Sequence, residues 1–352
     1  MHTRSIRVAA LCLCFSPSLA SAHKIHPLQD KYKQDSQTIL RRASEPVHEQ
    51  ITQLARACQE EKKGTTNGPL SCPADLTPSR HQGGNKHDAL IRGIWWNDDP
   101  NQLLFALRQA KFIAWINDAE RIGKCGVNWR GRQASIGPSY YMTYRSHYGD
   151  LQFIHAMASR DGEPAAETRQ NIMAWAEFAY AVAIGQLDPE AKLPEVVPLH
   201  VRGFFQEQSG WTINYLFAPM YRLSAADYTR KMAAGSLLHM IQDSYAAGHA
   251  KREFGPSAQC KTGRVVQFHS YTNQDPDSHA EHDRLEAWRI REFTPVQNPV
   301  NVSATLLSFI ERKADWQEVK EYLQGTVFCI DDSAEDASAG EFKDENPKEC
   351  RK

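Results

Sequence analysis

The sequence has 352 residues, with 41 lysines and arginines against 42 aspartates and glutamates and a formal net charge of −1. A chain of this length can bury a large core, in one domain or in two. The near-neutral balance and the lack of a basic tract count mildly against nucleic acid as a partner, because proteins that follow a nucleic-acid backbone carry clustered lysine and arginine.

The first residues have the pattern of an export signal. Arg4 and Arg7 provide a positive start, an apolar stretch follows, and residues 20–22 form a small-residue cleavage site. The apolar stretch is far shorter than the ~20 residues that a membrane-spanning helix needs. We therefore expect residues 1–22 to be a signal peptide, and the mature chain to begin at His23 with a formal charge of −3, since two arginines are removed. The mature protein is expected to be secreted or periplasmic, without a transmembrane segment.

Six of the eight cysteines remain after this cleavage: Cys58, Cys72, Cys125, Cys260, Cys329 and Cys350. An even number in an exported chain predicts up to three disulfides, whose pairing the sequence leaves open among fifteen connectivities. No C-x-x-C pair occurs, which disfavours a cysteine-based zinc site. The stretch from Cys58 to Asn85 is rich in Gly, Pro, Thr and Ser and indicates a surface loop that Cys58 and Cys72 are placed to staple.

Helical periodicity recurs along the chain, beginning at residues 46–60, where Pro46 suits a first helical position. Further helices are predicted at residues 86–96, 102–122, 149–159, 165–184, 225–248, 277–293, 302–313 and 315–324. Few segments alternate like strands, so we expect an all-α fold with a single multi-helix domain over residues 23–330. From residue 331 the chain becomes acidic. Residues 331–352 are expected to form a mobile tail.

The histidines are most informative between Gly235 and His249. His239 and Asp243 are four residues apart, so on a helix they share a face and can hold one cation together. Gly248 offers a helix stop that would turn His249 toward a second metal. Gly235 and other small residues keep the helix slim, so that neighbouring elements can approach closely enough to add ligands. The alternative is an ordinary buried histidine beside a solvated Asp243.

A second pair repeats this spacing. His279 and Asp283 are also four residues apart, at the start of an apparent helix. His282 is an alternative ligand, but it would point partly aside and is expected at the surface. The repetition favours metal binding over the alternative of an ordinary histidine beside a solvated Asp243.

The pattern His-x3-Asp-x5-His followed by His-x3-Asp resembles the zinc-dependent phospholipase C and P1 nuclease superfamily. Within it, the runs W-N-D-D-P, S-H-Y-G-D-L-Q-F-I-H-A-M and L-H-M-I-Q-D-S are most similar to the phosphatidylcholine-hydrolysing phospholipases C of pseudomonads and legionellae. The resemblance covers about two-thirds of the chain, from His48 to Asp283. It implies an all-helical fold and a centre of two or three zinc ions.

Mapped residue by residue, the resemblance implies an early ligand at His48, an aspartate at Asp98 with Asp99 as its substitute, and a further histidine at His147 with His155 as the weaker candidate. The implied sites are one zinc at Asp98, His147, His239 and Asp243, a second at His249, His279 and Asp283, and a third at His48 sharing Asp243. The family's mature chains begin with a tryptophan near the first histidine, whereas His23 precedes His48 by 25 positions. The amino terminus as a ligand of the third zinc is therefore left open.

This resemblance implies a zinc metallohydrolase that cleaves phospholipids at membrane surfaces, with phosphatidylcholine preferred. Asp98, or Asp99 in its place, is the implied general base, and the other ligands position metal. Two alternatives are a P1-type single-strand nuclease or nucleotidase and an exported zinc-binding protein without catalysis. The flanking aromatic residues are mostly explained by core packing, although aromatic faces also hold choline cations. The oligomeric state is not predicted.

Overall fold

The computed structural model describes residues 46–64, 68–79, 85–104, 108–219, 226–284, 287–288 and 293–345. The expected signal peptide, the expected mature amino terminus at His23 and the last cysteine, Cys350, lie outside these ranges. The described chain is predominantly helical, as predicted, but it also contains a small three-stranded sheet. Among the described helices, none combines the length and apolarity needed to cross a membrane.

The helices, in chain order, are α1 (Val47–Glu61), α2 (Ala89–Trp96), α3 (Gln109–Cys125), α4 (Met142–Tyr148), α5 (Ala165–Ala183), α6 (Leu193–Val196), α7 (Leu199–Arg202), α8 (Ile213–Phe217), α9 (Ala226–Asp243), α10 (Pro276–His282), α11 (Pro299–Glu311) and α12 (Trp316–Tyr322). Short 3-10 turns lie at Asn85–His87, Gln152–His155, Gly203–Gln208 and Gly340–Phe342, and a π turn at Leu323–Val327. The strands are β1 (Ala250–Glu253), β2 (Arg264–His269) and β3 (Glu335–Ser338).

Side-chain caps fix several helix starts. Asp88 accepts a hydrogen bond from the Leu90 amide at 3.0 Å and so begins α2. Asp275 does the same for α10 through the Ser278 amide, and Asn298 for α11 through Val300. In both α10 and α11 a proline follows the cap, where its missing N–H is not needed.

Helix α9 lies at the centre of the fold and is wholly buried from Met232 to Asp243. It crosses α2 at a glycine pair. A Cβ on Gly235 would lie 2.3 Å from the Leu90 carbonyl oxygen, and one on Gly93 would lie 2.3 Å from the Met232 carbonyl oxygen. Only glycine therefore lets the two backbones touch, as the small residues of α9 predicted. The contact brings the residues that follow α2 against the middle of α9.

The predicted helix at residues 149–159 is wrong. A helix lies earlier, in α4, and only Gln152–His155 forms a 3-10 turn. The extended backbone of Gly149 ends α4, and a Cβ there would lie 2.8 Å from the Arg145 Cα. His147 and His155 therefore lie on two separate elements.

The segment expected to be a mobile tail packs against the domain as far as residue 345. β3 pairs in parallel with β2, which pairs antiparallel with β1. Ala337 and Phe342 are buried, and Arg264 forms an ion pair with Asp331 at 2.5 Å. The acidic side chains that suggested mobility lie mostly on the outer side of this segment, while a few apolar residues anchor it.

Two disulfides lie among the described residues, Cys58–Cys72 and Cys260–Cys329. Cys125 is disulfide-bonded as well. The first closes the loop after α1, as expected, and the second joins the β1–β2 region to the segment before β3. Disulfides are typical of proteins from oxidising compartments.

Candidate metal centre

Histidines and carboxylates from six parts of the chain meet in one buried cluster. Three groups each bring their ligand atoms within 4.8 Å of one another, and these groups are His48, His239 and Asp243; Asp98, His155 and His239; and His249, His279 and Asp283. Every one of these side chains is at most 4% exposed. The sequence motifs between His48 and Asp283, which lie far apart in the chain, therefore belong to one site.

Asp243 belongs to the first group and contacts histidines of the first two groups. Its Oδ2 lies 2.9 Å from His239 Nε2, because the two residues share one face of α9 as their spacing predicted. The same oxygen lies 2.8 Å from His155 Nδ1, while Oδ1 lies 3.2 Å from His48 Nε2. One carboxylate thus faces three imidazole rings.

Each of five histidines directs one ring nitrogen away from the cluster toward an oxygen acceptor. These contacts are His48 Nδ1 to Gln242 Oε1 at 2.7 Å, His239 Nδ1 to the Ile94 carbonyl at 2.6 Å, His155 Nε2 to the Asn97 carbonyl at 3.1 Å, His249 Nδ1 to the His155 carbonyl at 2.7 Å, and His279 Nδ1 to Gln274 Oε1 at 2.6 Å. Because an oxygen acceptor requires an N–H donor, the other nitrogen of each neutral ring presents a lone pair to the cluster. This is the arrangement that orients metal-binding histidines.

Lone pairs that converge on a carboxylate need positive charge between them. His155 Nδ1 and Asp243 Oδ2 would repel at 2.8 Å without a shared proton or a cation. Both carboxylate oxygens of Asp98 and the Nε2 of His249 are buried without a hydrogen-bond partner among the described residues. Leaving such atoms unsatisfied costs about 1–3 kcal/mol each, more for charged groups. The donor set therefore fits bound cations.

Asp98 and Asp99, which the sequence left as alternatives, have different surroundings. Asp99 accepts hydrogen bonds from the Leu103 amide at 2.9 Å and the Leu104 amide at 2.7 Å. It therefore fixes the turn after α2. Asp98 instead lies with His155 and His239 in a group that could hold a metal ion.

The structure places His155, the weaker candidate, in the cluster in place of His147. His147 is buried beside it, with a ring centroid 5.2 Å from that of His155, and its Nδ1 faces the Thr143 carbonyl of its own helix at 3.0 Å. The sequence resemblance had favoured His147. The break at Gly149, which separates α4 from the turn that carries His155, decides which ring reaches Asp243.

Gly248 has a role other than the expected helix stop. Helix α9 ends at Asp243, and Gly248 is not among the residues with positive φ. A Cβ on Gly248 would lie 2.6 Å from His279 Nδ1. Glycine at this position therefore makes room for the His279 ring, whose centroid lies 5.0 Å from that of His249.

The third group completes the predicted second site. His279 Nε2 lies 3.0 Å from Asp283 Oδ2, as expected for residues four apart. His282 is exposed, in agreement with its expected surface position. Residues 285–286 and 289–292, where the predicted helix was expected to continue, lie outside the described ranges.

Burial controls the protonation of the histidines. It lowers the pKa of His48 to about 4 and that of His155 to about 3, so both rings are neutral at pH 7, the form that binds metal. Burial also lowers the pKa of His239, but Asp243 and Asp98 outweigh it and raise the pKa to about 9. Burial raises the pKa of Asp98 to about 8. Protons thus supply the positive charge that the carboxylates require when no cation is bound.

Three contributors were not predicted from the sequence. Gln242 and Gln274 orient His48 and His279 through their side-chain carbonyls. Tyr271 is buried against the cluster, with its ring centroid 5.0 Å from that of His279. Gln242 follows Met240 and Ile241 on α9, beside the His-x3-Asp pair, and its position there is the only local signal for any of the three.

Comparison of the chain with protein-family models, with curated proteins and with solved structures gave no match. The functional interpretation therefore depends on the sequence motifs and on the geometry of the cluster.

Proposed function

We propose that the protein is a secreted zinc-dependent phospholipase C, which cleaves the glycerol-side phosphodiester bond of phospholipids. Phosphatidylcholine is the preferred substrate, and the products are diacylglycerol and a phosphorylated head group. The observation that supports this most is that three histidine and carboxylate groups adjoin: His239 belongs to the first two, and Asp243 lies 3.8 Å from His249 of the third. The same residues carry the sequence resemblance to zinc-dependent phospholipases C.

The chemistry of the donors supports zinc. Neutral imidazole nitrogens and carboxylate oxygens are ligands that zinc accepts, whereas magnesium favours sites made of oxygen alone. The described cysteines are in disulfides and supply no thiolate. The residues assigned to the ions are Asp98, His155, His239 and Asp243 for one, His249, His279 and Asp283 for a second, and His48 with Asp243 for a third.

Clustered zinc, when bound, supplies a hydroxide near neutral pH and positive charge opposite phosphoryl oxygens. The chain's own residues place that chemistry. Asp98 has two buried carboxylate oxygens without a hydrogen-bond partner among the described residues, so one oxygen can face an ion while the other accepts a proton. Asp98 is therefore the proposed general base, and Asp99 holds the turn that carries it.

The test is to incubate the zinc-loaded protein with phosphatidylcholine and, separately, with single-stranded RNA. We expect chelator-sensitive release of phosphocholine and diacylglycerol. Turnover of RNA alone would overturn the proposal in favour of a P1-type nuclease, and bound zinc without hydrolysis of either substrate would indicate a non-catalytic zinc protein.

A matched pair of variants tests the site itself. His239→Ala should abolish hydrolysis and lower the zinc content measured by elemental analysis, because it removes a ligand shared by two groups. His282→Ala is the control, since its ring is exposed on α10 and its Nδ1 faces the Ser278 carbonyl. An unchanged zinc content in His239→Ala would remove this residue from the site.

A further inference from the structure

Helix α3 and the loop after it present an exposed patch in which aromatic rings alternate with cations. We define the aromatic patch as Lys111, Trp115, Trp129, Arg130 and Tyr141. Trp129 is 64% exposed and Tyr141 is 58% exposed. Large aromatic side chains exposed together on a soluble surface mark an interaction site, because they contribute apolar area that water does not favour.

The patch is held in a fixed conformation. The Trp129 amide donates to Asp118 Oδ1 at 2.6 Å, and the Tyr144 hydroxyl donates to Asp118 Oδ2 at 3.1 Å. Val127 and Gln133 form an antiparallel bridge at the base of the loop. Trp115, Trp129 and Tyr144 line an open hollow of about 600 Å³. These contacts therefore hold Trp129 in an exposed position.

The charge of this region differs from that of the whole chain. Residues 108–141 contain six cations and two acids, a net charge of +4, in a chain whose formal charge is −1. The cations are Arg108, Lys111, Arg121, Lys124, Arg130 and Arg132, and the acids are Asp118 and Glu120. A surface with this excess attracts an anionic partner, and basic side chains near a membrane contribute about 1 kcal/mol each to binding of anionic lipid.

We propose that the aromatic patch is a membrane-binding surface that takes a phospholipid interface containing anionic lipid. Tryptophan and tyrosine suit the boundary between head groups and acyl chains, since one end of each ring is apolar and the other polar. The cations beside them complement the negative surface potential. The partner is thus identified by the combination of exposed rings and positive charge.

Single-stranded nucleic acid is the competing partner for aromatic and basic residues, but each tryptophan of the patch already has a neighbour over a ring face. Trp115 is stacked on Tyr141 with centroids 4.1 Å apart and has Lys111 Nζ 4.5 Å from its centroid. Arg130 lies over Trp129 at 4.5 Å. These neighbours reduce the area of ring face that base stacking needs.

The patch also lies on the element that approaches the metal centre. Tyr141 precedes α4, and His147 lies six residues later, about 9 Å along the helix at 1.5 Å per residue. His147 in turn contacts the ring of His155. A membrane bound at the patch would therefore present its lipid near the cluster; this last step rests on the proposed function, whereas membrane binding itself does not.

The experiment is co-sedimentation of the zinc-loaded full chain with vesicles of phosphatidylcholine containing a minority of phosphatidylserine. Trp129→Ala should weaken binding about tenfold, from lost apolar burial, and Arg130→Gln about fivefold. Leu199→Ala, which changes a 79% exposed residue on α7, should bind like the unchanged protein. Added salt should weaken binding, because exposed charges are screened.

Hydrolysis of a short-chain phosphatidylcholine below its micelle concentration separates the two proposals, and Trp129→Ala should leave it unchanged. The membrane-binding proposal would be overturned if Trp129→Ala and Tyr141→Ala left vesicle binding as strong as in the unchanged protein. It would also be overturned if the unchanged protein bound RNA but no vesicles, and these variants lost the RNA binding. Patch-dependent vesicle binding without any lipid hydrolysis would support the surface and contradict the proposed enzyme.

Discussion

Replacing Gly235 with alanine would place a methyl group where α2 and α9 touch. The new Cβ would lie 2.3 Å from the Leu90 carbonyl oxygen and 2.5 Å from the Gly93 Cα, whereas ordinary contact begins at 3.4 Å. The two backbones would have to separate by about 1 Å, since no flexible side chain is there to yield. Overpacking of this kind costs about 1–3 kcal/mol, against a gain of up to about 1 kcal/mol from the better helix propensity of alanine. We expect a net loss of about 1–2 kcal/mol in the free energy of unfolding.

The same separation should affect the metal centre. Asp98 follows α2, while His239 lies one turn after Gly235 on α9 and belongs to the same metal-binding group. Misplacement of a catalytic group by about 1 Å can reduce a rate about a hundredfold. Urea unfolding measures the stability, and a zinc competition titration measures the zinc affinity. Both should fall. Gly203→Ala is the control, because Gly203 has helical φ and an added Cβ would meet nothing within 4 Å. If Gly235→Ala retained both values, the role of the helix contact would be refuted.

Three further outcomes follow from the cluster. His155→Ala should lose bound zinc in elemental analysis, whereas His147→Ala should keep it, and the opposite result would restore the sequence-based assignment. Asp99→Ala should lower the free energy of unfolding by about 1–2 kcal/mol, because two amides lose their acceptor, while Asp98→Ala should instead abolish hydrolysis; equal activity losses would contradict the division of roles. In zinc-free protein, stability should fall as pH decreases from about 6.5 to about 4, since buried histidines that are neutral when folded take up protons when unfolded. Two buried aspartates with a pKa raised to about 8 have the opposite effect, but four histidines with a pKa lowered to about 3 or 4 outnumber them. The histidines are His48, His147, His155 and His269, and the aspartates are Asp98 and Asp99. Thermal melts across this range should show the fall, and a flat or rising melting temperature would mean that the aspartates dominate.

The parts of the site that depend on local spacing could be predicted from the sequence. His239 and Asp243 lie on one helix, and His279 and Asp283 keep the same spacing at the end of α10, so the helical repeat alone brings each pair together. The close contact at Gly235 of α9 could also be predicted, because a helix that carries small residues on one face allows a neighbouring element to approach closely. These inferences need no knowledge of the rest of the fold.

The parts that failed depend on tertiary structure. His147 and His155 both lie near apolar residues, and only the end of helix α4 at Gly149 decides which of the two rings faces Asp243. Strand β3 could not be predicted because acidic residues dominate its composition. Its position is determined by pairing with β2, whose residues lie about 70 positions earlier in the chain. A mobile tail was therefore expected where the chain forms a sheet.

The histidine orientations link metal binding to folding. The acceptors that hold the five outward ring nitrogens come from α2, α9, the residue after α2, the turn that ends at His155, and the residues before α10. None of these oxygens is in place until the elements have packed, so an unfolded chain has no comparable site. Conversely, the folded cluster buries three carboxylates, Asp98, Asp243 and Asp283, whose charge is costly in a dry interior without a cation or protons. A cation that satisfied them and bound the folded state in preference would add its binding free energy to the stability of the fold.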